Sequence, residues 1–162
     1  MADKKISALT AVSSLNATDV FPVVQSAATK KADLNDVLNL VPTFIAIACG
    51  DETTVLTAAT DVATFRMPYA MTVTEVRASL TTAGTGAALV TVDIHESGTT
   101  ILSTKITLDA SEKTSTTAAT APVISDSALA DDAEITIDVD QIDTDNVAAG
   151  LKVYLIGTRA AV

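Results

Sequence analysis

The feature that most constrains the fold of this chain is a strict two-residue alternation near its C-terminal end. Ala133, Ile135, Ile137 and Val139 alternate with polar residues over the run 133–140. Successive side chains of a β-strand point to opposite faces, so a strand would place all four apolar side chains on one face. A helix would scatter them around its surface. The run therefore predicts a half-buried strand whose other face is acidic and solvated.

Similar runs follow one another through most of the chain. The run 88–94 alternates in the same way, and Ser97 and Gly98 after it predict a hairpin turn that pairs it with the run 101–108. Five further apolar runs are expected to form strands, namely residues 43–49, 62–67, 71–80, 122–124 and 151–156, the last ended by Gly157. Seven or eight strands with turn residues between them predict an all-β fold, a β-sandwich or jelly roll.

The same patterns predict which side chains are buried. The run 43–49 is apolar enough to be a buried strand, and Thr74 is expected on the inward face together with Val76. Asp93 and His95 are expected to point outward into solvent. Because the chain is 48% hydrophobic but only 3% aromatic, with no Trp, its core must consist of small aliphatic side chains.

The first 42 residues do not share this pattern. Short apolar clusters alternate with polar turns, which indicates an extended arm. Asp33 is a suitable N-cap for a short helix that carries apolar residues at helical spacing over 34–41 and ends before Pro42. The chain is therefore divided into an N-terminal anchoring arm, residues 1–42, and a β-sandwich domain, residues 43–162.

Charge argues against two classes of partner. The net charge is −10, and the arm has four basic and four acidic residues, so the domain carries the whole excess of acids. Nucleic acids and anionic membranes are bound through clustered Lys and Arg, so neither is expected as a partner. No apolar run approaches the ~20 residues of a membrane span, and polar residues interrupt any export signal.

The residues needed for common catalytic and cofactor sites are missing. Cys49 is the only cysteine, which excludes an intrachain disulfide, and it is expected to be a buried apolar residue. His95 is the only histidine, and no Gly-x-Ser-x-Gly elbow or phosphate-binding glycine loop accompanies it. We expect no enzymatic activity and no cofactor.

One acidic segment, residues 126–145, has eight acids and no base. Its weak calcium candidates are Asp138, Asp140, Asp143 and Asp145, but it lacks the glycine and the terminal glutamate of an EF-hand loop. A solvated acidic face is the preferred interpretation, and no metal site is expected. Paired carboxylates could also serve a glycosidase, but the chain has few rings on which a sugar could stack.

Several segments resemble proteins of tailed bacteriophages. Residues 5–10 (KISALT), 15–25 (LNATDVFPVVQ) and 29–32 (TKKA) resemble the leader that precedes fibre, spike or decoration modules in many virion proteins. Residues 65–71 (FRMPYAM), 76–80 (VRASL) and 131–138 (DDAEITID) resemble a β module of phage and prophage structural proteins. The resemblance covers most of the chain, but it does not separate a head fibre or capsid decoration from a tail fibre.

The resemblance implies a homotrimer made in the host cytoplasm and located in the virion. Its leader would dock on the major capsid protein or another virion protein, and the β-domain would project outward. The arm's apolar residues are the candidate docking residues: Ile6, Leu9, Leu15, Val20, Phe21, Pro22, Leu34, Val37 and Leu38. An arm without its own core is expected to become ordered by binding a partner. The alternative is that residues 1–42 wrap around their own domain.

Three functions follow from these expectations. A capsid decoration or head fibre is preferred, because 162 residues leave no room for a long shaft or an aromatic tip. The second function is a tail-fibre module that recognises a host surface glycan or protein through the loops 83–87 and 109–121. The third, an enzyme acting on cell-surface polysaccharide, has the least support.

Overall fold

The computed structural model describes residues 14–16, 18–38 and 40–160. The chain forms two compact units that meet in sequence at Leu40 and Val41, two residues before the expected boundary. No helix among the described residues is long and apolar enough to cross a lipid bilayer.

The first unit contains a β-hairpin followed by a short helix. Strand β1 (Val20–Gln25) pairs with β2 (Ala28–Asp33) through a two-residue turn, in which Ser26 and Ala27 have φ angles of 53° and 61°. Two positive φ values define the turn that best fits the twist of paired strands. The sequence did not reveal this pairing, because Ser-Ala lacks the Gly or Asn that usually marks such a turn.

The short helix of the first unit is confirmed. Helix α1 (Leu34–Leu38) begins directly after Asp33, whose Oδ1 accepts a hydrogen bond of 3.0 Å from the backbone N–H of Asp36. In return Asp36 Oδ2 accepts one of 3.0 Å from the N–H of Asp33. This reciprocal pair satisfies two N–H groups that a helix start leaves without partners.

The second unit, residues 41–160, is fully described and contains eleven strands, each antiparallel to its neighbours. The six longer strands are β3 (Thr43–Ala48), β4 (Ala59–Arg66), β5 (Met71–Ser79), β6 (Val90–Glu96), β12 (Glu134–Gln141) and β13 (Lys152–Arg159). The five shorter ones are β7 (Thr99–Thr100), β8 (Leu102–Thr104), β9 (Ile106–Leu108), β10 (Val123–Ile124) and β11 (Ala128–Leu129). The predicted all-β fold is confirmed.

Two sheets make up most of this unit. The four-stranded sheet has the order β11-β5-β13-β3, and the five-stranded sheet has the order β4-β12-β6-β7 with β9 also paired to β6. Both sheets contribute inward side chains to one apolar core, for example Val76 and Leu155 from the first and Ile94 and Ile137 from the second. This is a β-sandwich-like architecture. Its jelly-roll connectivity stays a prediction.

The alternation over 133–140 is confirmed, since Ile135, Ile137 and Val139 are buried on one face of β12. The predicted hairpin at Ser97 and Gly98 is also confirmed, because β6 pairs with β7 and β9. The run 101–108 is not one strand, however. It divides into short strands, which raises the number of strands above the seven or eight expected.

The expected inward position of Thr74 is wrong, because β5 contains a β-bulge. Glu75 lies opposite Ile156 and Val73 lies opposite Gly157, so Thr74 has no partner on β13. The extra residue reverses the alternation, which leaves Val73 and Val76 buried and Thr74 exposed.

Gly157 does not end the last strand, which continues to Arg159. It lies opposite the bulge of β5, where the two backbones approach so closely that an added Cβ would overlap the carbonyl group of Thr72. The glycine is therefore required for close approach of two strands rather than for a turn.

The expectation of a fully buried strand at 43–49 is also wrong. Strand β3 lies at the edge of its sheet, so Ile45 and Ile47 face the core while Phe44, Ala46 and Ala48 are exposed. The sequence is apolar on both faces, and periodicity alone could not distinguish this edge strand from a central one.

Candidate functional site

The structure describes seven of the nine candidate docking residues by position. Ile6 and Leu9 lie outside the described residues, and Leu38 ends α1 with a side chain that is not described. Of the other six, Leu15, Val20, Pro22 and Val37 are exposed, and Phe21 and Leu34 are half-buried.

A shallow depression of about 320 Å³ lies on the hairpin. We call its lining the hairpin surface; it consists of Val20, Phe21, Pro22, Lys30 and Lys31. The two strands bring these residues together, since Pro22 lies opposite Lys31 and Val23 opposite Lys30. Apolar side chains beside two ammonium groups suit a partner surface that is itself partly apolar and partly acidic. The sequence identified the apolar residues but not the lysines.

The described part of the first unit, which we call the hairpin unit, has no core of its own. None of its described residues is buried, and Val24 remains 77% exposed on the same side of β1 as Val20. A two-stranded hairpin is marginally stable by itself in water, and it gains stability when its apolar side chains are covered. The unit therefore has the properties of a binding element more than of an independent domain.

A second cluster lies on the outer face of the five-stranded sheet. We call it the outer polar cluster; it consists of Asp93, His95, Lys105, Asp138 and Asp140. Asp93 does face outward from β6, as expected, but it is only 1% exposed and therefore not solvated. Lys105 covers it, with its Nζ 3.1 Å from Asp93 Oδ2 and 2.7 Å from Asp140 Oδ2.

Hydrogen bonds keep the buried carboxylate of Asp93 ionised. Burial by itself would raise its pKa, but Thr100, Lys105 and the N–H of Ile94 donate to the carboxylate and together hold its pKa below the ordinary value. Hydrogen bonds to Asp140 and Asp93 raise the pKa of Lys105 in turn. The three groups form a charged network that contributes to stability through its complete pairing.

His95 lies between two carboxylates of this cluster. Its Nε2 is 3.6 Å from Asp93 Oδ2, and its Nδ1 is 3.6 Å from Asp138 Oδ2. Both distances exceed hydrogen-bonding range.

The four weak calcium candidates are not brought together. Asp138 accepts from the N–H of Asp61, and Asp140 binds Lys105. Asp143 is buried, where it accepts from the N–H groups of two residues that follow it in the same turn, and Asp145 accepts from Thr85. Among the described residues no group of three or more His, Cys, Asp or Glu side chains could hold a metal ion.

A groove of about 570 Å³ follows the outer side of β5. Thr74, Glu75 and Arg77 form its floor, and the segments 115–118 and 121–124 form its wall. Arg77 and Glu75 are joined by two hydrogen bonds of 2.5 and 2.9 Å. The groove offers hydroxyl groups, one ion pair and a few aliphatic side chains, which suit a neutral polar ligand.

Of the two loops expected to contact a host receptor, only 109–121 contributes to this groove. The loop 83–87 packs against the turn 143–145 instead, where Thr85 donates to Asp145 at 2.7 Å and the N–H of Ala87 donates to Thr144 at 3.1 Å. Gly84 and Gly86 lie so close to this turn that an added Cβ would overlap it. This loop therefore has a packing role in the sandwich.

Comparison of the chain with protein-family models, with curated proteins and with solved structures found no match.

Proposed function

We propose that this chain is a structural protein of a tailed-phage particle, a capsid decoration or head fibre that docks through its first unit. The observation that carries the proposal is the contrast between the two units. Residues 41–160 enclose a continuous apolar core, whereas no described residue of the hairpin unit is buried. A partner that covers the hairpin surface would supply the missing burial.

The distribution of charge supports the same function. Residues 41–160 carry sixteen acids and six bases, which favours solubility when many copies project from one particle. The described part of the first unit has Lys30 and Lys31 beside apolar side chains, so it differs chemically from the projecting domain. We further propose that the partner is the major capsid protein or another virion protein, and that the chain is a homotrimer located in the virion.

The proposal is tested with the full-length protein and with particles that lack it. Val20→Asp and Val24→Asp place a charge on exposed positions of β1, and we expect each to weaken binding to particles at least tenfold. Val123→Asp is the matched control, since Val123 is 50% exposed on the sandwich, and its binding should equal that of the wild type. Val24→Thr keeps a β-branched side chain, which favours the strand, and therefore separates loss of the apolar surface from loss of the hairpin.

Two results would contradict this function. One is wild-type protein that does not bind the particles at all. The other is unchanged binding of both aspartate variants, which would exclude the exposed face of β1 as the docking element. Electron microscopy of the same particles then locates the bound copies on the head or on the tail.

The groove beside β5 favours a second candidate function, recognition of a host surface glycan or protein by a tail fibre. In this case purified protein binds host cells, and Thr116→Trp, which places a large ring in the groove, abolishes the binding. Val147→Asp lies outside the groove and serves as the control. Binding to cells that Thr116→Trp leaves unchanged would exclude the groove as the receptor site.

A further inference from the structure

One face of the sandwich exposes a group of apolar side chains beside an open sheet edge. We call this group the β3 patch; it consists of Phe44, Ala46, Tyr154 and Ile156. Phe44 lies opposite Ile156, and Ala46 lies opposite Tyr154, so the four side chains share the outer face of β3 and β13. Phe44 is 66% exposed, the highest value for a large apolar side chain in residues 41–160.

The edge beside this patch can accept another strand. The N–H of Cys49 donates to the carbonyl oxygen of Leu151, the residue directly before β13, and strand geometry then directs the N–H and C=O groups of Phe44, Ala46 and Ala48 away from β13. No strand within residues 41–160 pairs with β3 on that side. The sequence of β3, TFIAIA, has no charge, proline or glycine, which are the usual means of protecting an edge strand.

The corresponding edge of the other sheet is protected. Strand β4 carries Asp61 and Arg66, and its pairing with β12 shifts register between Ile137 and Val139. Asp61 also has a φ of 53°, so the strand is kinked near its start. Charges and a bulge on an edge strand prevent pairing with another chain. The long edge strands of the two sheets therefore differ: β3 is uncharged, whereas β4 carries charges and a bulge.

The distribution of charge favours a second copy of this chain as the partner that covers the patch. The strands of the four-stranded sheet carry one acid, Glu75, and three bases, whereas those of the five-stranded sheet carry six acids and one base. Glu75 and two of those bases, Arg77 and Lys152, take part in ion pairs. The β3 side is thus the part of an acidic sandwich where a second copy can approach without bringing acidic surfaces together.

We propose that copies of this chain contact one another through the β3 patch and the open edge of β3. The outer face of β3 carries one large side chain followed by two small ones, so Phe44 of one copy can cover Ala46 or Ala48 of the next. Contact between copies buries Phe44 and gives partners to the open backbone groups. The inference goes beyond the proposed function: pairing through one open edge on each copy joins the copies two at a time, and a trimer would need a further contact between two different surfaces.

The test is sedimentation velocity of the full-length protein over a range of micromolar concentrations. We expect the wild type to be oligomeric. Ala46→Lys adds a charge to the edge and Phe44→Thr removes the exposed ring, and both should raise the dissociation constant at least tenfold. Val147→Lys alters an exposed valine outside both the β3 patch and the groove, and it should leave the oligomer intact. Cooperative thermal unfolding of each variant verifies that it is folded.

A monomeric wild type would overturn the proposal, and so would Ala46→Lys and Phe44→Thr variants that sediment like the wild type. A third result would also overturn the proposal: a wild type that is monomeric but needs Phe44 to bind particles. The patch would then belong to a different partner. The aspartate variants of β1 are expected to remain oligomeric. Failure of docking and failure of self-association therefore give different results.

Discussion

Lys105 Nζ lies 3.1 Å from Oδ2 of Asp93, a carboxylate that is almost completely buried on the outer face of the five-stranded sheet. Lys105 is also the single residue between β8 and β9, where the strand is interrupted. The lysine crosses the outer face of the sheet to reach Asp140 on β12 as well. This network replaces the solvated acidic surface that the sequence indicated.

Replacement of Asp93 by asparagine is expected to destabilise the sandwich by about 1–3 kcal/mol at neutral pH, since it removes the charge from buried hydrogen bonds. The pKa of Asp93 is lower in the folded state than in the unfolded chain. Its contribution to stability is therefore complete above the ordinary aspartate pKa of about 4 and is lost as the pH falls through the folded value. Chemical denaturation between pH 7 and pH 2 should show a flatter acid dependence for Asp93→Asn than for the wild type.

Asp140→Asn is the control for this prediction. Asp140 binds the same lysine, but its side chain is 34% exposed, so the expected loss is below about 1 kcal/mol. Equal effects of the two substitutions would show that burial of Asp93 does not strengthen its interaction with Lys105.

Substitution of Gly157 by alanine tests the close approach of β13 to the bulge of β5. The added methyl group would overlap the backbone carbonyl of Thr72, which cannot move without disturbing the pairing of both strands. We expect a loss of about 3 kcal/mol or more in the free energy of unfolding. Thr158→Ala, one residue further along β13, should cost less than about 1 kcal/mol. Similar losses for both variants would contradict the requirement for glycine.

The thiol of Cys49 is expected to react slowly in the folded protein. Burial raises its pKa to about 11, although a backbone hydrogen bond from Val153 partly opposes the shift. The thiolate is the reactive form, so at pH 8 the rate with a disulfide reagent should fall by about a hundredfold relative to the unfolded chain. Reaction in native buffer and in denaturant measures this ratio. A ratio near one would show that the region around Cys49 opens readily.

The strands were predictable because their apolar residues alternate, as in β12, where every second side chain is buried. Features that depend on tertiary contacts were not predictable. The bulge at Thr74 reverses the alternation of β5 without any glycine or proline to mark it, and the exposure of Phe44 depends on β3 being an edge strand. The burial of Asp93 likewise depends on Lys105, which is twelve residues away in sequence.

The sequence predicted the candidate docking residues only as a set of apolar side chains in one segment, without their arrangement. Apolar side chains in a segment without a core indicated a binding element, but the hairpin that places Lys30 and Lys31 beside Val20 forms through an unusual Ser-Ala turn. The available signal was the lysine pair at 30 and 31, which lies opposite Val23 and Pro22. Its meaning depends on the register between the two strands, which the turn determines.

Removal of residues 1–40 is expected to leave a folded sandwich that no longer joins particles. Every residue described as part of the apolar core lies within residues 41–160, and the pairing of the strands described there needs no residue of the first unit. The truncated chain should therefore unfold cooperatively, with a melting temperature within a few degrees of the second unit's transition in the full-length protein. Calorimetry measures this transition, and sedimentation with particles measures attachment. Normal attachment of the truncated protein would exclude the hairpin unit as the anchor, and loss of cooperative unfolding would show that the first unit supports the sandwich.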